Sequence, residues 1–227
     1  MFKEGKVGAV IVAAGKSERL GEDKIFASLG GRTVLERTLA VFESSPLIDE
    51  IAIVLGEHNI EKGRLLAGKA GWKKVMAICV GGARRQDSVA AGLKELKGCQ
   101  WIMIHDGARP LVTPQLIEDC LEAAAESGAA ACAVPLRDTI KMVGEDGFVI
   151  GTPPREKLWA VQTPQVFASG IINGAYAQVG YDATDDAVLV ERRSGRVKLC
   201  SGSYENIKIT TPEDLALAGM LWGKREG

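Results

Sequence analysis

The sequence predicts an α/β fold, a doubly wound and mostly parallel sheet with helices on both faces. Short apolar runs rich in β-branched residues alternate with segments of helical period along most of the 227 residues. Several of these runs lack polar alternation, as expected for strands that are covered on both faces. In such sheets ligands bind beyond the carboxyl ends of the strands, so functional residues are expected in the loops that follow the strands.

Strands and helices can be assigned in order along the chain. The strands are predicted at residues 7–12, 51–55, 75–80, 101–104 and 130–134, and the helices at 33–44, 86–96, 114–126 and 211–222. Thr33 and Glu36 form a capping box at the first helix, and Thr211 with Pro212 begins the last one. Repeated strand-helix units of this kind favour one domain over residues 1–227, with no internal repeat or linker.

One stretch interrupts the alternation. Residues 138–152 contain two short β-like runs around Asp146-Gly147, which is a hairpin signal. An isolated hairpin is barely stable in water, so this one should pack on something else. The sequence leaves open whether it covers its own domain or reaches a second subunit. We define residues 136–160 as the arm; if it reaches a second subunit, it is a protruding dimerisation element.

Composition narrows the class of protein. The chain is 46% hydrophobic and 25% charged with a formal net charge of −1, which offers no broad field for nucleic acid or a membrane surface. Five cysteines without a CxxC pair indicate buried, reduced thiols and a cytoplasmic protein. The apolar stretch ending at Val12 is too short for a signal peptide or a membrane span.

The loop after the first strand combines small and cationic residues. Small residues let backbone amides approach a ligand closely, and three cations within nine residues can neutralise a polyphosphate. The loop therefore predicts a nucleotide triphosphate site, although a solvated surface loop would have a similar composition. The residues concerned are Ala13, Ala14, Gly15, Lys16, Arg19 and Lys24.

Two other nucleotide motifs can be set aside. The sequence contains no GxGxxG, which weighs against a dinucleotide-binding oxidoreductase. Residues 63–70 nearly match a P-loop, but Ala70 stands where a magnesium-binding hydroxyl is required. We interpret this segment as a surface turn.

Seven motifs in a fixed order are more specific than any one of them. They are Ala13-Ala14-Gly15 with Arg19 and Lys24; Gly81-Gly82 with Arg85 and Asp87-Ser88-Val89; His105-Asp106-Gly107-Ala108-Arg109-Pro110; Pro135 with Asp138-Thr139-Ile140-Lys141; Gln162-Thr163-Pro164-Gln165; Thr184-Asp185-Asp186; and Asn206-Ile207-Lys208-Ile209-Thr210. In this order the chain resembles the methylerythritol-phosphate cytidylyltransferase family, nucleotidyltransferases with a glycosyltransferase-A-like sheet. The resemblance implies CTP and 2-C-methyl-D-erythritol 4-phosphate as substrates, with pyrophosphate as a product.

The resemblance assigns the nucleotide side of the site. Arg19, Lys24 and Lys208 would be catalytic and stabilise charge on the phosphates, as fixed cations do in phosphoryl-type transfer. Without the resemblance, Lys208 would be interpreted as a charged residue that protects an edge strand from aggregation, in a strand-like segment at residues 206–209. Asp23 stands where the family has proline. The nucleotide-binding positions would be Ala13, Ala14, Gly15, Gly82, Ala83 and Ser88.

The resemblance also assigns the polyol-phosphate side, to Asp106, Arg109, Thr139, Arg155, Thr163 and Thr184. Asp106 is in addition a candidate ligand for Mg²⁺ or another divalent cation, because a carboxylate beside phosphates needs a cation between them. An aspartate paired locally with Arg109 is the alternative. In the family the arm is exchanged between subunits, so Thr139 and Arg155 would serve the partner of a homodimer. Without the resemblance, Thr139 would be interpreted as a residue that favours β-strands and Arg155 as a solvated cation of a loop.

The implied reaction is in-line attack of the substrate's phosphate oxygen on the α-phosphorus of CTP. That oxygen is ionised near neutral pH, so the reaction needs no general base, and His105 is predicted to be structural. A ribitol-5-phosphate cytidylyltransferase is the nearest alternative, and Ala108 before Arg109 favours methylerythritol phosphate over it. A non-catalytic nucleotide-binding or dimerisation module is the alternative from another class.

Overall fold

The computed structural model describes residues 2–3, 5–15, 23–177, 182–193 and 195–226. These residues form eleven strands and seven α-helices. The strands are β1 (Val7–Ala13), β2 (Ser28–Leu29), β3 (Arg32–Thr33), β4 (Glu50–Leu55), β5 (Val75–Val80), β6 (Trp101–Asp106), β7 (Ala129–Pro135), β8 (Met142–Val143), β9 (Val149–Gly151), β10 (Trp159–Ala168) and β11 (Lys198–Ser201). The helices are α1 (Val34–Ser44), α2 (Ile60–Ala70), α3 (Arg85–Glu95), α4 (Pro114–Ser127), α5 (Ser169–Tyr176), α6 (Asp186–Glu191) and α7 (Pro212–Glu226).

Seven strands form one sheet in the order β11-β7-β10-β6-β1-β4-β5. Strand β1 runs parallel to β4 and β6, β4 runs parallel to β5, and β11 runs parallel to β7. Only β10 among these strands is antiparallel, to both of its neighbours β6 and β7. The predicted α/β class with a mostly parallel sheet is therefore confirmed.

The core lies on both faces of this sheet. Val7 and Ile11 of β1 pack on one face with side chains of α1 and α4, such as Phe42 and Leu121. Val10 packs on the opposite face with residues of α3, α5 and α6. Because successive side chains of a strand point to opposite faces, a strand covered on both sides has no polar positions. This explains the unbroken apolar run at the start of the chain.

The five predicted strands are present, and each of them begins and ends within two residues of the predicted bounds. The four predicted helices are also present, and Thr33 and Glu36 make the predicted capping box. The interpretation of residues 63–70 as a surface turn is wrong. They lie within α2, which ends at Gly71 with a left-handed φ of 63°. None of the helices among the described residues combines the length and the hydrophobicity that a membrane span requires.

The arm leaves the sheet between β7 and β10. Strands β8 and β9 pair in an antiparallel manner, with Gly147 in the turn at a φ of 82°. The predicted strand pair around Asp146-Gly147 is therefore present. Its apolar side chains are exposed, to 74% for Phe148 and 66% for Ile150. Such exposure argues against packing of the arm on the body of its own chain.

Candidate active site

A cavity of about 580 Å³ lies at the carboxyl ends of β1 and β6, beside the first turn of α3. This edge is where parallel α/β sheets bind ligands, and the volume suits a small molecule. Nine of the predicted catalytic and binding residues line it: Ala13, Ala14, Gly15, Lys24, Gly82, Ala83, Ser88, Asp106 and Lys208. The fold thus brings together residues from four distant stretches of the chain.

A glycine turn after β5 forms one wall of this cavity. The Gly81 amide donates to the Leu55 carbonyl at 2.8 Å, and the Gly82 amide donates to the Ser88 hydroxyl at 3.2 Å. A Cβ at Gly81 would lie 2.4 Å from the Cβ of Ala14, and one at Gly82 would lie 2.4 Å from the Cβ of Asp87. Both contacts are too short for any side chain, so this wall requires glycine.

Asp106 lies at the centre of the charged residues in the cavity. Its Oδ2 is 2.9 Å from Lys208 Nζ and 3.5 Å from Arg109 Nε, and its Oδ1 is 3.2 Å from Arg85 Nε. Burial alone would raise the pKa of Asp106, but the charges of Arg85, Lys208 and Arg109 outweigh it and lower the pKa below its usual value. The carboxylate is therefore ionised at neutral pH. The local ion pair between Asp106 and Arg109 that the sequence suggested is present, and it is one of three ion pairs that Asp106 makes.

Arg85 connects Asp106 to a second buried carboxylate. Its Nη1 donates to Asp186 Oδ2 at 2.7 Å, and the Tyr176 hydroxyl donates to Asp186 Oδ1 at 2.5 Å. Burial and the negative charge of Asp186 raise the pKa of Tyr176, so the phenol stays protonated. The sequence motif contained Arg85, but reasoning from the sequence gave it no role in the site. Because Asp186 holds the Arg85 side chain in place, we assign Arg85 a role in the site, which is to position Asp106.

A chain of hydrogen bonds fixes the backbone of Asp106. The Asp106 amide donates to Thr163 Oγ1 at 3.0 Å, and that hydroxyl lies 3.1 Å from His105 Nδ1. His105 Nε2 lies 3.3 Å from the Arg109 carbonyl. In the neutral tautomer with a proton on Nε2, this nitrogen donates to the carbonyl and Nδ1 accepts from the Thr163 hydroxyl, so each hydrogen bond in the chain has one donor and one acceptor. Burial lowers the pKa of His105 to about 3. The ring is neutral at physiological pH and serves as a structural element.

Lys208 reaches the cavity on a segment held by side chains. Residues 206–209 are irregular in structure, so the prediction of a strand-like segment is wrong. The Ile209 amide donates to the Ala108 carbonyl at 2.8 Å, Arg109 Nη1 donates to the Asn206 carbonyl at 2.7 Å, and the Asn206 amide group donates to the Thr163 carbonyl at 2.8 Å. These bonds fix the segment over the end of β6 and direct Lys208 at Asp106.

The loop after β1 is described only in part. Arg19, together with Lys16, lies outside the described residues, whereas Lys24 lines the cavity. The carboxylate of Asp23, the residue in place of proline, hydrogen-bonds Asn59 and lies 3.2 Å from His58 Nε2. Asp23 thus fastens this loop to the segment before α2.

The remaining predicted positions are not among the described residues that line the cavity. Arg109 and Thr163 are mostly buried beside it and act on Asp106 as described above. Thr184 is exposed just before Asp185, which caps α6. Thr139 and Arg155 are exposed on the arm, where Arg155 Nη1 donates to the Arg137 carbonyl at 2.8 Å. The single chain therefore does not bring these last two to its own cavity, and their roles stay predictions.

The fold and this cavity define an α/β nucleotide-binding protein with fixed cations placed for a phosphorylated ligand. A family model described as 2-C-methyl-D-erythritol 4-phosphate cytidylyltransferase (IspD) matches residues 7–224. The chain belongs to this family, which is one of nucleotidyltransferases. The expected resemblance is therefore confirmed.

Individual relatives agree with the family model. A 2-C-methyl-D-erythritol 4-phosphate cytidylyltransferase of Dehalococcoides mccartyi is 56% identical over 225 residues, which cover 99% of each chain. The crystal structure of 4-diphosphocytidyl-2C-methyl-D-erythritol synthase from Anaerococcus prevotii superposes with a TM-score of 0.86 at 30% identity, covering 96% of this chain and 98% of the other. The cytidylyltransferase structure from Thermus thermophilus gives 0.76 at 33% identity, covering 94% and 98%.

Proposed function

We propose that this protein is an enzyme that condenses CTP with 2-C-methyl-D-erythritol 4-phosphate to give 4-diphosphocytidyl-2-C-methyl-D-erythritol and pyrophosphate, a step of isoprenoid precursor biosynthesis. One observation carries the proposal: Lys24 and Lys208 line the same cavity as the Gly82-Ser88 turn and Asp106. Cations, close backbone approach and a hydroxyl acceptor are what a nucleotide triphosphate and a polyol phosphate require at one place. Family membership supplies the identity of the two substrates.

The chemistry is in-line displacement at the α-phosphorus of CTP. An oxygen of the acceptor's phosphate attacks, the bond to the bridging oxygen of the β-phosphate breaks, and pyrophosphate leaves with that bond's electron pair. A phosphate monoester is largely dianionic near neutral pH, so no side chain needs to remove a proton. The neutral, buried His105 agrees with this, because its ring nitrogens are both engaged inside the protein.

Positive side chains supply the catalysis in this proposal. Lys24 and Lys208 stabilise charge that grows on the α-phosphate and on the leaving pyrophosphate, and the resemblance adds Arg19 to them. Lys208 is held 2.9 Å from Asp106 before substrate enters, so its position costs no reorganisation during the reaction. The backbone of Ala13 to Gly15 and of Gly82 with Ala83, together with the Ser88 hydroxyl, would hold the nucleotide.

Asp106 would receive the polyol. Its carboxylate is ionised and accepts hydrogen bonds only, so it fits a substrate hydroxyl and would repel a phosphate brought to the same spot. Arg109, which pairs with it, would help to place the phosphate, and Thr163 and Thr184 are assigned to the same substrate by the resemblance. The role that the structure supports for Thr163 is to hold the Asp106 amide.

We propose Mg²⁺, or another divalent cation, as the companion of the triphosphate. Asp106 is the one carboxylate among the described residues that line the cavity, and it shares its charge with three cations, so it would leave most of the coordination to the phosphates. Mg²⁺ is commonly bound by one or two carboxylates together with substrate phosphates. The residues present fit an ion held mainly by phosphate oxygens, with Asp106 as the candidate protein ligand. Such an ion would neutralise phosphate charge.

We also propose that the enzyme is a homodimer through the arm and acts in the cytoplasm. Phe148, Val149 and Ile150 expose apolar surface that a second subunit would cover, and Thr139 with Arg155 would then reach the partner's cavity. The five cysteines are free, which fits a reducing compartment.

The direct test is release of pyrophosphate from CTP with 2-C-methyl-D-erythritol 4-phosphate, and with ribitol 5-phosphate in a parallel reaction. We expect turnover with the first acceptor and much less with the second. In Lys208→Ala, kcat should fall by roughly two decades, equivalent to about 3 kcal/mol of transition-state stabilisation. Arg64→Ala, which removes an exposed cation of α2, is the matched control and should leave kcat unchanged.

Three outcomes would decide against the proposal. Preference for ribitol 5-phosphate would assign the other cytidylyltransferase activity. Absence of pyrophosphate release with either acceptor would favour a nucleotide-binding or dimerisation module. Normal turnover by a folded Lys208→Ala enzyme would remove the catalytic role of that lysine.

A further inference from the structure

Three cysteines converge at the opposite end of the sheet order from the glycine turn. The Sγ atoms of Cys120, Cys132 and Cys200 all lie within 4.8 Å of one another, and Cys132 Sγ is 3.4 Å from Cys200 Sγ. Cys120 and Cys132 are buried and Cys200 is partly exposed. In the described part of the chain, this is the one group of three or more histidine, cysteine or acidic side chains whose ligand atoms converge in this way.

Three separate elements place these thiols together. Cys132 of β7 and Cys200 of β11 are direct partners in the parallel register, so their side chains lie side by side on one face of the sheet. Cys120 lies on α4, which packs across that face. Because the backbone of all three elements is regular, the convergence is a consequence of the fold rather than of one flexible side chain.

We propose that Cys120, Cys132 and Cys200 form a binding site for a thiophilic divalent cation, Zn²⁺. Zinc binds thiolate sulfur at about 2.3 Å, so the sulfurs of a tetrahedral site lie about 3.8 Å apart. The Cys132–Cys200 separation of 3.4 Å and the upper limit of 4.8 Å for all three pairs are compatible with that spacing. Thiolate ligands favour soft or borderline ions over Mg²⁺, so this site is distinct in chemistry from the phosphate-binding cavity.

The surroundings suit a cation. The carboxylate of Asp119 is close enough to act electrostatically on Cys132 and Cys200. The Cys120 thiol reaches the carbonyl oxygens of Pro164 and Ala130 at 3.4 and 3.8 Å, and the Cys132 thiol reaches that of Leu116 at 3.7 Å. The carbonyls of Ala130 and Leu116 belong to a strand and a helix, where backbone amides serve them, so these two acceptors do not depend on the thiol protons.

Binding converts three thiols and Zn²⁺ into a tris-thiolate complex and releases three protons, without any change of oxidation state. A water molecule from the partly exposed side of Cys200 would complete four-coordination. Because binding releases protons, the affinity for Zn²⁺ should rise with pH. Because β11 is an edge strand that pairs only with β7 among the described strands, the ion would fasten it to β7 and α4.

The site also has a connection to the cavity. Strand β11 ends at Ser201, and the chain then runs through residues 202–205 to the segment that carries Lys208. Fastening β11 therefore restrains the base of that segment. This consequence is separate from the proposed reaction, and the metal site stands or falls on direct binding.

The test uses the full-length protein purified under reducing conditions, stripped with a chelator and then titrated with Zn²⁺ alone. We expect one equivalent of Zn²⁺ to remain per chain after desalting, with a rise in Tm. Titration with Co²⁺ should give the charge-transfer absorption of thiolate ligands. Retention of less than a tenth of an equivalent by the wild-type protein would overturn the proposal, as would a Cys132–Cys200 disulfide that persists under reducing conditions.

Variants separate this site from other thiols. Cys200→Ala, at a partly exposed edge position, should fold and lose the retained Zn²⁺, and Cys120→Ala should do the same. Cys79→Ala is the matched control, because Cys79 is a partly exposed cysteine on the far edge strand β5 and should leave the stoichiometry unchanged. Equal loss in Cys79→Ala, or full retention in both cluster variants, would contradict the assignment.

Discussion

At the scale of residues, the ionised Asp106 depends on charges supplied by its neighbours. Arg85 carries much of this arrangement, because it pairs with both Asp106 and the fully buried Asp186. A buried pair that loses one member leaves an uncompensated charge, which costs far more than a surface pair. The same geometry that prepares a hydroxyl acceptor therefore makes the site sensitive to Arg85.

We expect Arg85→Ala to lower the free energy of unfolding by about 3 kcal/mol, because Asp186 would remain buried with only the Tyr176 hydroxyl as a described side-chain partner. Urea unfolding measured by circular dichroism would test this. Arg64→Ala, which breaks the exposed pair with Glu61, is the control and should change stability little. Equal effects of the two substitutions would show that the buried pair of Arg85 with Asp186 does not stabilise the fold more than an exposed pair does.

His105 gives a pH dependence with a definite sign. Its pKa is lowered to about 3 from a reference value of 6.5, so between these values the unfolded chain binds a proton that the folded protein does not. Stability due to neutral His105 is thus present above pH 6.5 and is lost as the pH falls. From pH 7 to pH 5 the free energy of unfolding should drop by about 2 kcal/mol on this account.

The comparison with His105→Gln isolates that contribution, since glutamine can replace the hydrogen bonds and does not titrate. The wild-type protein should lose about 2 kcal/mol more than the variant between pH 7 and pH 5 in urea unfolding. Parallel pH profiles for the two proteins would contradict the neutral, buried state of His105. Asp106 does not disturb this window, because its lowered pKa matters only below the usual range of a carboxyl group.

The sequence could predict site residues that stand in local motifs, but it could not predict contacts between residues that are far apart along the chain. Gly82, Ser88 and Asp106 stand in local patterns after strands, and the structure places them in one cavity. The pair of Arg85 with Asp186 joins residues 101 positions apart, and nothing local in either segment indicates the other. Only the folded arrangement of α3 and α6 reveals it.

At the scale of elements, β10 shows why a strand can escape prediction. Its middle contains Gln162, Thr163 and Pro164, and polar residues with a proline argue against a central strand. The structure accommodates them at a register shift between Val161 and Gln165. Partners far along the chain satisfy their polar groups: the Asn206 side chain donates to Gln162 Oε1, and the Asp106 amide donates to Thr163 Oγ1. The burial of β10 could not be inferred without those partners.

The arm exposes a group of large apolar side chains, among them Met142, Val143 and Phe148. If it forms the proposed dimer, Phe148→Glu should shift the protein toward monomer, because a buried charge without a partner is strongly unfavourable. Analytical ultracentrifugation over a range of concentrations is the measurement. Leu65→Glu on α2 is the matched control, since Leu65 is 66% exposed and Phe148 is 74% exposed. A monomeric wild-type protein, or a dimer equally tolerant of both changes, would refute the arm interface.

At the scale of the whole molecule, two layers of helices around a sheet follow directly from the unalternating strands. The strand order follows less directly, because it depends on where β10 inserts between β6 and β7. The cavity lies at the carboxyl edge, as the fold class predicts. Its described lining comes from one chain, while Thr139 and Arg155 stand apart on the arm. In the proposed homodimer, the arm of a second subunit would bring these two residues to the site.

This arrangement predicts complementation between two defective chains. Lys208→Ala damages the body of a chain, and the double variant Thr139→Ala/Arg155→Ala damages its arm, so each homodimer should be nearly inactive. In a mixed dimer with exchanged arms, one site combines an intact body with an intact arm. Random pairing makes half of the dimers mixed, so co-expression should restore about one quarter of wild-type turnover. If each arm serves its own chain, every site keeps one defect and the mixture stays as inactive as its components.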